Sequence, residues 1–217
     1  MKTRAVLFDL DGTLLDTLAD LADSMNQALA HLGYPQHPQE YFKTAVGDGV
    51  YLLAERVLPP DDRRPDKVHA LVQEMQKIYS KGWMKKTQPY AGIHELITEL
   101  QSRAIRLAVL SNKPDEKTRT CIKHYFTTDA FDLVMGASAQ FPLKPDSAAV
   151  EHILRMLDIP KDEWLYLGDT NTDMLTAQNA GLKAVGVTWG FRSREELLAS
   201  GANIIIDHPL ELIPHLT

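Results

Sequence analysis

The chain of 217 residues has a single cysteine, Cys121. One cysteine excludes an internal disulfide, argues against structural zinc and suits a reducing compartment. Cys121 itself reads as a small apolar helix residue. The chain also lacks any long block of one charge sign. Its 23 Lys and Arg against 29 Asp and Glu leave a net charge of -6, which argues against nucleic acid, because such partners select basic surfaces. No apolar run is long enough to span a bilayer, so no membrane partner is expected. Met1-Lys2-Thr3-Arg4 leads into an apolar stretch too short for a signal peptide. These absences point to a soluble, cytoplasmic protein and leave monomer and homodimer both open. What is present is ordinary for a globular chain, 44% hydrophobic and 24% charged, in a length that buries a core without staples.

Short runs rich in Val, Ile and Leu occur at 4–8, 106–110, 131–135, 164–167, 183–187 and 203–206. Such runs suit buried strands. Between most of them lie segments with helical spacing, including His94 to Leu100 and Ala148 to Leu157. Alternating strands and helices predict an α/β fold, a Rossmann-like parallel sheet covered on both faces. One stretch breaks the rhythm. From Thr17 to Gln88 there is no convincing strand, and helical faces recur at Leu18 to Leu29, Val50 to Val57 and Asp66 to Ser80. A small helical domain over 17–88 is therefore expected as an insert after the first strand. The α/β core would take 1–16 and 89–217, with Pro89-Tyr90-Ala91-Gly92 at the boundary.

Four polar clusters sit where strand patterns end, and ligands of open α/β sheets bind outside the carboxyl ends of strands. The first is Asp9-Leu10-Asp11-Gly12-Thr13. Two carboxylates two residues apart on an extended chain share a side, so one can attack while the other handles protons. Gly12 allows a tight turn that brings N–H groups near an anion; an ordinary Asp-Gly turn is the plainer alternative. The second is Leu110-Ser111-Asn112-Lys113, whose hydroxyl and amide can donate to a phosphoryl oxygen. Alone it reads better as a helix N-cap before Pro114. The third, Lys144-Pro145, can offset negative charge, although alone it reads better as an exposed lysine ahead of a helix. The fourth is Gly168-Asp169-Thr170-Asn171-Thr172-Asp173. Its oxygen donors suit magnesium, with helix capping as the alternative.

Asp9, Asp11, Asp169 and Asp173 brought together would repel one another, at roughly 4 kcal/mol for a like pair 4 Å apart in an intermediate dielectric. A divalent cation and Lys144 would relieve this, as would protonation of Asp11.

In this order the four clusters resemble the four motifs of the haloacid dehalogenase superfamily, and the helical insert resembles its four-helix-type cap. The resemblance implies a magnesium-dependent phosphatase. Asp9 would attack phosphorus and form an aspartyl-phosphate, and Asp11 would protonate the leaving alcohol and then activate water. Ser111 and Lys144 would bind the phosphoryl group, with Gly12, Thr13 and Asn112 beside the substrate. Mg2+ would lie on Asp9, the Asp11 backbone carbonyl and Asp169, with Asp173 holding a metal-bound water or positioning Lys144. Dehalogenating members lack the second acid, Asp11, so phosphatase is the implied subclass. Gly12-Thr13-Leu14-Leu15-Asp16-Thr17 and Val46-Gly47-Asp48-Gly49-Val50 are similar to the opening and the cap loop of the phosphoglycolate phosphatase branch. Gly47, Asp48 and Gly49 would then read a small phosphorylated metabolite, though the same triplet also reads as a plain helix–helix turn. Pyrophosphatase, sugar phosphomutase and a non-catalytic phosphate-binding regulator are the competing readings. Trp189-Gly190-Phe191-Arg192 is expected to cover the edge of the core rather than to approach the site.

Overall fold

The structure, a computed structural model, describes residues 2–127 and 129–216. In chain order the elements are β1 (Ala5–Phe8), β2 (Leu15–Asp16), α1 (Leu18–His31), α2 (Gln39–Ala45), α3 (Val50–Val57), α4 (Pro65–Gly82), β3 (Gln88–Pro89), α5 (Ile93–Ser102) and β4 (Arg106–Pro114). They continue as α6 (Asp115–Tyr125), β5 (Leu133–Ala137), α7 (Ala148–Leu157), β6 (Trp164–Gly168), α8 (Asn171–Ala180), β7 (Lys183–Val187), α9 (Arg194–Ala199) and β8 (Ile204–Ile206). Two compact units result, one from Met1–Leu15 with Pro89–Thr217 and the other from Asp16–Gln88.

The first unit is an α/β fold around a six-stranded parallel sheet of order β5-β4-β1-β6-β7-β8. The chain builds outward from β1 through β4 and β5, then returns to build the other half from β6. Strand order therefore reverses beside β1, the place where open α/β sheets bind ligands. All four β1 residues are fully buried, as expected for a central strand covered on both faces. Phe8 aligns with Val109 on one side and Leu167 on the other, so Asp9, Ser111 and Asp169 all lie toward the carboxyl edge of the sheet.

Two strands differ from expectation. β4 continues past Leu110 through Ser111, Asn112 and Lys113 to Pro114, with a register shift on the way. A hydrophobic run does not reveal a strand whose end is polar but buried. β5 starts at Leu133 rather than Phe131, because Phe131 turns in to meet Phe8 and Phe126 edge-to-face, at 6.1 and 5.4 Å between ring centroids.

In the second unit, α1 buries Leu18, Leu21, Ala22, Met25, Ala28 and Leu29, and α4 buries Leu71, Val72, Met75 and Tyr79. These two stripes face each other. The short α2 has no predicted counterpart, since it buries only Phe42 and Ala45. Asp20, buried on α1, accepts from the backbone N–H of Lys86 (2.9 Å) and Thr87 (2.8 Å) and from the Thr87 hydroxyl (2.8 Å), which satisfies a charge that burial would otherwise penalise. Between α2 and α3, Gly47 and Gly49 have positive φ. Asp48 pairs with Arg56, whose guanidinium also donates to the Ala45 carbonyl at 2.8 Å. No helix among the described residues is long and apolar enough to cross a membrane.

Candidate active site

Lys144 is the hub of the carboxyl edge. Its ammonium has three N–H donors and three acceptors around it: Asp9 Oδ1 at 2.7 Å, Asp173 Oδ1 at 2.7 Å and the Leu110 carbonyl at 3.2 Å. Its side chain is 3% exposed. Burial works to lower the pKa of this lysine, but Asp173 and Asp9 outweigh it and hold the ammonium well above its ordinary value. The cation is therefore permanent.

Asp173 enters the site from α8. Its Oδ1 accepts from Lys144 and from the Tyr166 hydroxyl at 3.0 Å, while Oδ2 accepts from the Thr170 N–H at 3.0 Å and the Thr170 hydroxyl at 2.7 Å. Thr170 and Asp173 form a reciprocal capping box at the start of α8. The capping and site readings of this cluster thus hold together: the cap fixes the carboxylate that fixes Lys144.

Asp169, fully buried, follows β6. Its Oδ1 accepts from the Thr13 hydroxyl at 3.0 Å and its Oδ2 from the Phe191 N–H at 2.8 Å. Burial, then the charges of Asp173 and Asp9, push its pKa well up against those two donors. Asp9 is raised to about 7, by burial first and by Asp173 and Asp11 after it, against the pull of Lys144.

Asp9, Asp169 and Asp173 each offer an oxygen within 4.8 Å of the others. Three buried carboxylates against the Lys144 ammonium leave an excess of two negative charges. The donors are all oxygen, the chemistry of a hard divalent cation. A divalent ion matches both the charge and the donor set, so these residues fit one. Asp173 already accepts four hydrogen bonds, which leaves Asp9 and Asp169 as the carboxylates with room for it.

The turn after Asp9 differs from expectation. The N–H groups of Gly12 and Thr13 do not face an anion; they close the turn on the carbonyls of Leu15 (2.8 Å) and Leu10 (3.4 Å). Gly12 has φ 92, and a Cβ there would run into the Asp169 carboxylate, so glycine is required. Asn112 is also placed differently. Its amide binds the backbone of Lys144 at both ends, which makes it a support of the lysine. Ser111 is buried at the same strand end, its Oγ accepting from the Lys113 N–H at 3.2 Å. Gly47, Asp48 and Gly49 belong to the helical unit described above.

The loop after β7 is a wall of the site and not only a cover for the core edge. Trp189 donates from its indole nitrogen to the Thr13 carbonyl at 3.0 Å, and Phe191 donates to Asp169. Between them Gly190 lies so close to Asp169 and the Gly12 carbonyl that any Cβ would collide with both. Arg192, buried, pairs with Glu196 at 3.2 Å. Sequence reasoning gave no role to Tyr166, which sits within an apolar strand pattern, or to Lys113, the last residue of the quoted second cluster. Lys113 binds Asp11 through its ammonium, at 2.9 Å to Oδ1 and 3.2 Å to Oδ2.

The chain is similar to known proteins over most of its length. The sequence profile of the haloacid dehalogenase-like hydrolases matches residues 6–187. A phosphoglycolate phosphatase of Photobacterium profundum is 31% identical over 214 residues, covering 96% of this chain and 93% of that protein. One from Pseudomonas putida is 28% identical, covering 97% of this chain and 79% of its own length. A crystal structure from Lactobacillus delbrueckii subsp. bulgaricus, of a protein provisionally named phosphoglycolate phosphatase, matches with a TM-score of 0.94 and 28% identity. That match covers 100% of this chain and 99% of the other.

Proposed function

This chain belongs to the haloacid dehalogenase-like hydrolases and is a phosphatase, and from that premise we propose that it hydrolyses a small phosphate monoester, 2-phosphoglycolate foremost, through an aspartyl-phosphate on Asp9. One observation carries the reading. Asp9 has one carboxylate oxygen held by the permanent cation of Lys144 at 2.7 Å, while its Oδ2 accepts no hydrogen bond among the described residues. A buried carboxylate with one oxygen fixed and the other open is a nucleophile aimed by its neighbour.

Asp9 and Asp169, with the Asp11 backbone carbonyl, would hold Mg2+, which supplies charge neutralisation for a transferring phosphoryl group. In the first half-reaction an Asp9 oxygen forms a bond to phosphorus as the bond to the ester oxygen breaks. The electron pair goes to the ester oxygen, which takes a proton from Asp11. In the second, water bonds to phosphorus, gives its proton to the Asp11 carboxylate, and the electron pair of the acyl-phosphate bond returns to Asp9. Lys144 balances charge beside the nucleophile throughout. Asp173, Tyr166 and Asn112 hold Lys144 in place, Thr13 and the Phe191 N–H hold Asp169, and the Ser111 hydroxyl is assigned to a phosphoryl oxygen. The substrate rests on the named relatives. Gly47, Asp48 and Gly49 are proposed for the leaving group on the likeness of Val46-Gly47-Asp48-Gly49-Val50 to the cap loop of the phosphoglycolate phosphatase branch.

Phosphate release from a panel containing 2-phosphoglycolate, pyrophosphate and sugar phosphates, with Mg2+ and with chelator, is the test. The expected result is Mg2+-dependent turnover, highest on 2-phosphoglycolate and abolished in Asp9→Asn. Undiminished turnover in that variant would rule out the mechanism, and preference for another ester would reassign the substrate.

A further inference from the structure

The second acid of the first cluster, Asp11, has its own cation. Both of its oxygens face the Lys113 ammonium, and no other donor bonds that carboxylate among the described residues. The Lys113 side chain is 5% exposed and that of Asp11 15%. The lysine backbone is anchored on both sides, its N–H on Ser111 Oγ at 3.2 Å and its carbonyl under the Thr118 hydroxyl at 3.1 Å. The polar extension of β4 thus serves three ends with three consecutive residues. Ser111 lies at the strand end, Asn112 braces Lys144, and Lys113 reaches Asp11.

A lysine stem is flexible, and its ammonium is strongly hydrated. Burying one is unfavourable unless it is well paired, and buried ion pairs add little net stability over apolar packing. A pair at this place is therefore better explained by what it orients than by what it stabilises. Bonding to both oxygens stops the carboxylate from rotating about its last torsion.

Resting on the phosphatase reading above, we propose that Lys113 is the positioning residue for proton transfer by Asp11. With Oδ1, the nearer oxygen, held by the ammonium, Oδ2 carries the proton to the ester oxygen as the phosphorus–oxygen bond breaks. Lys113 does not touch the reacting atoms; it fixes the direction from which the proton arrives.

Leaving-group dependence tests this. An alkyl phosphate expels a basic alkoxide and needs the proton, whereas p-nitrophenyl phosphate expels a stable phenolate and does not. Because kcat/KM reports the half-reaction that expels the leaving group, Lys113→Met should lower kcat/KM on 2-phosphoglycolate by about 100- to 300-fold, within the range of a lost general acid. On the aryl ester it should lower kcat/KM by only about 2- to 5-fold, and Lys113→Arg should recover part of the alkyl kcat/KM. Asp11→Asn should show the same selectivity in kcat/KM, while its kcat falls on both esters because hydrolysis of the aspartyl-phosphate is common to them. The double variant should be no slower than Asp11→Asn alone, because the two residues act as one unit. Equal losses of kcat/KM on both esters, or additive losses in the double variant, would overturn the role of Lys113 and leave the phosphatase reading intact. If Lys113→Met does not fold, Lys113→Gln and Lys113→Arg carry the same comparison. A wild-type protein inactive on every ester would overturn the phosphatase reading and this proposal with it.

Discussion

Asn112 holds Lys144 by its backbone from both sides: the amide nitrogen donates to the Lys144 carbonyl at 3.1 Å, and the amide oxygen accepts from the Lys144 N–H at 2.8 Å. The residues are 32 apart in sequence and both are buried. The pairing brings the loop that carries Lys144 onto the end of β4. Asn112→Ala leaves a buried N–H and a buried carbonyl without these partners, at about 1–3 kcal/mol each. Unfolding in urea should show a loss of about 2–6 kcal/mol, and kcat should fall at least about 10-fold as Lys144 loosens. Retention of full kcat would show that Lys144 is placed by other contacts.

Tyr166 presents a subtler case. Burial holds its phenol well above its ordinary pKa, so at neutral pH it is a donor, and its donor goes to Asp173. Tyr166→Phe keeps the ring and removes the hydroxyl that donates to Asp173. A hydrogen bond to a charged group contributes about 1.5–3 kcal/mol. The variant should fold, lose that much stability, and show lower kcat with near-normal KM. A raised KM with unchanged kcat would place Tyr166 in ground-state binding instead.

Asp9 makes the stability of the metal-free protein depend on pH in a direction opposite to the usual carboxylate. Its pKa is about 7 in the folded state against an ordinary 3.8. Between those values the folded protein keeps a proton that the unfolded chain has released, so this group's contribution falls as pH rises from about 4 to 7. In chelator, the stability of Asp9→Asn relative to wild type should therefore climb across that window and level off above it. A pH-independent difference would mean that Asp9 titrates like an exposed acid. Mg2+ binding to wild type should release more protons at pH 6 than at pH 8, read by calorimetry in two buffers.

Gly190→Ala sets a methyl against Asp169 and the Gly12 carbonyl. Overpacking of this kind costs about 1–3 kcal/mol. The thermal midpoint should drop, and Mg2+ affinity should weaken about 10-fold or more as Asp169 is pushed off its bonds to Thr13 and Phe191. Unaltered Mg2+ affinity would separate the Trp189 loop from cation binding.

How much of this was legible beforehand follows burial. Strands β1, β6 and β7 are covered on both faces, so their apolar runs read directly. The end of β4 is also buried, but by polar residues that find partners, and a hydrophobicity pattern has no mark for that. Asp169 and Asp173 stood out as acids after a strand. Tyr166 resembled any core aromatic, because nothing in its spacing says that the hydroxyl meets Asp173. Lys113 was hidden by its neighbours, since Ser-Asn-Lys before a proline reads as a cap. The Trp189 loop was hidden because its contacts use a backbone N–H, an indole and the absence of a Cβ.

The order of strands also bears on how the protein is made. The middle strand of the sheet is the first to leave the ribosome, and its nearest partner, β4, begins about a hundred residues later. At about 5–20 residues per second, four wholly apolar residues wait several seconds with no edge to join. The segment synthesised in the meantime is the helical unit, whose buried stripes on α1 and α4 face each other. A nascent chain arrested a few tens of residues after Gln88 should therefore carry a protease-resistant helical unit behind a protease-sensitive amino-terminal strand. Uniform sensitivity along that chain would mean that the two units mature together.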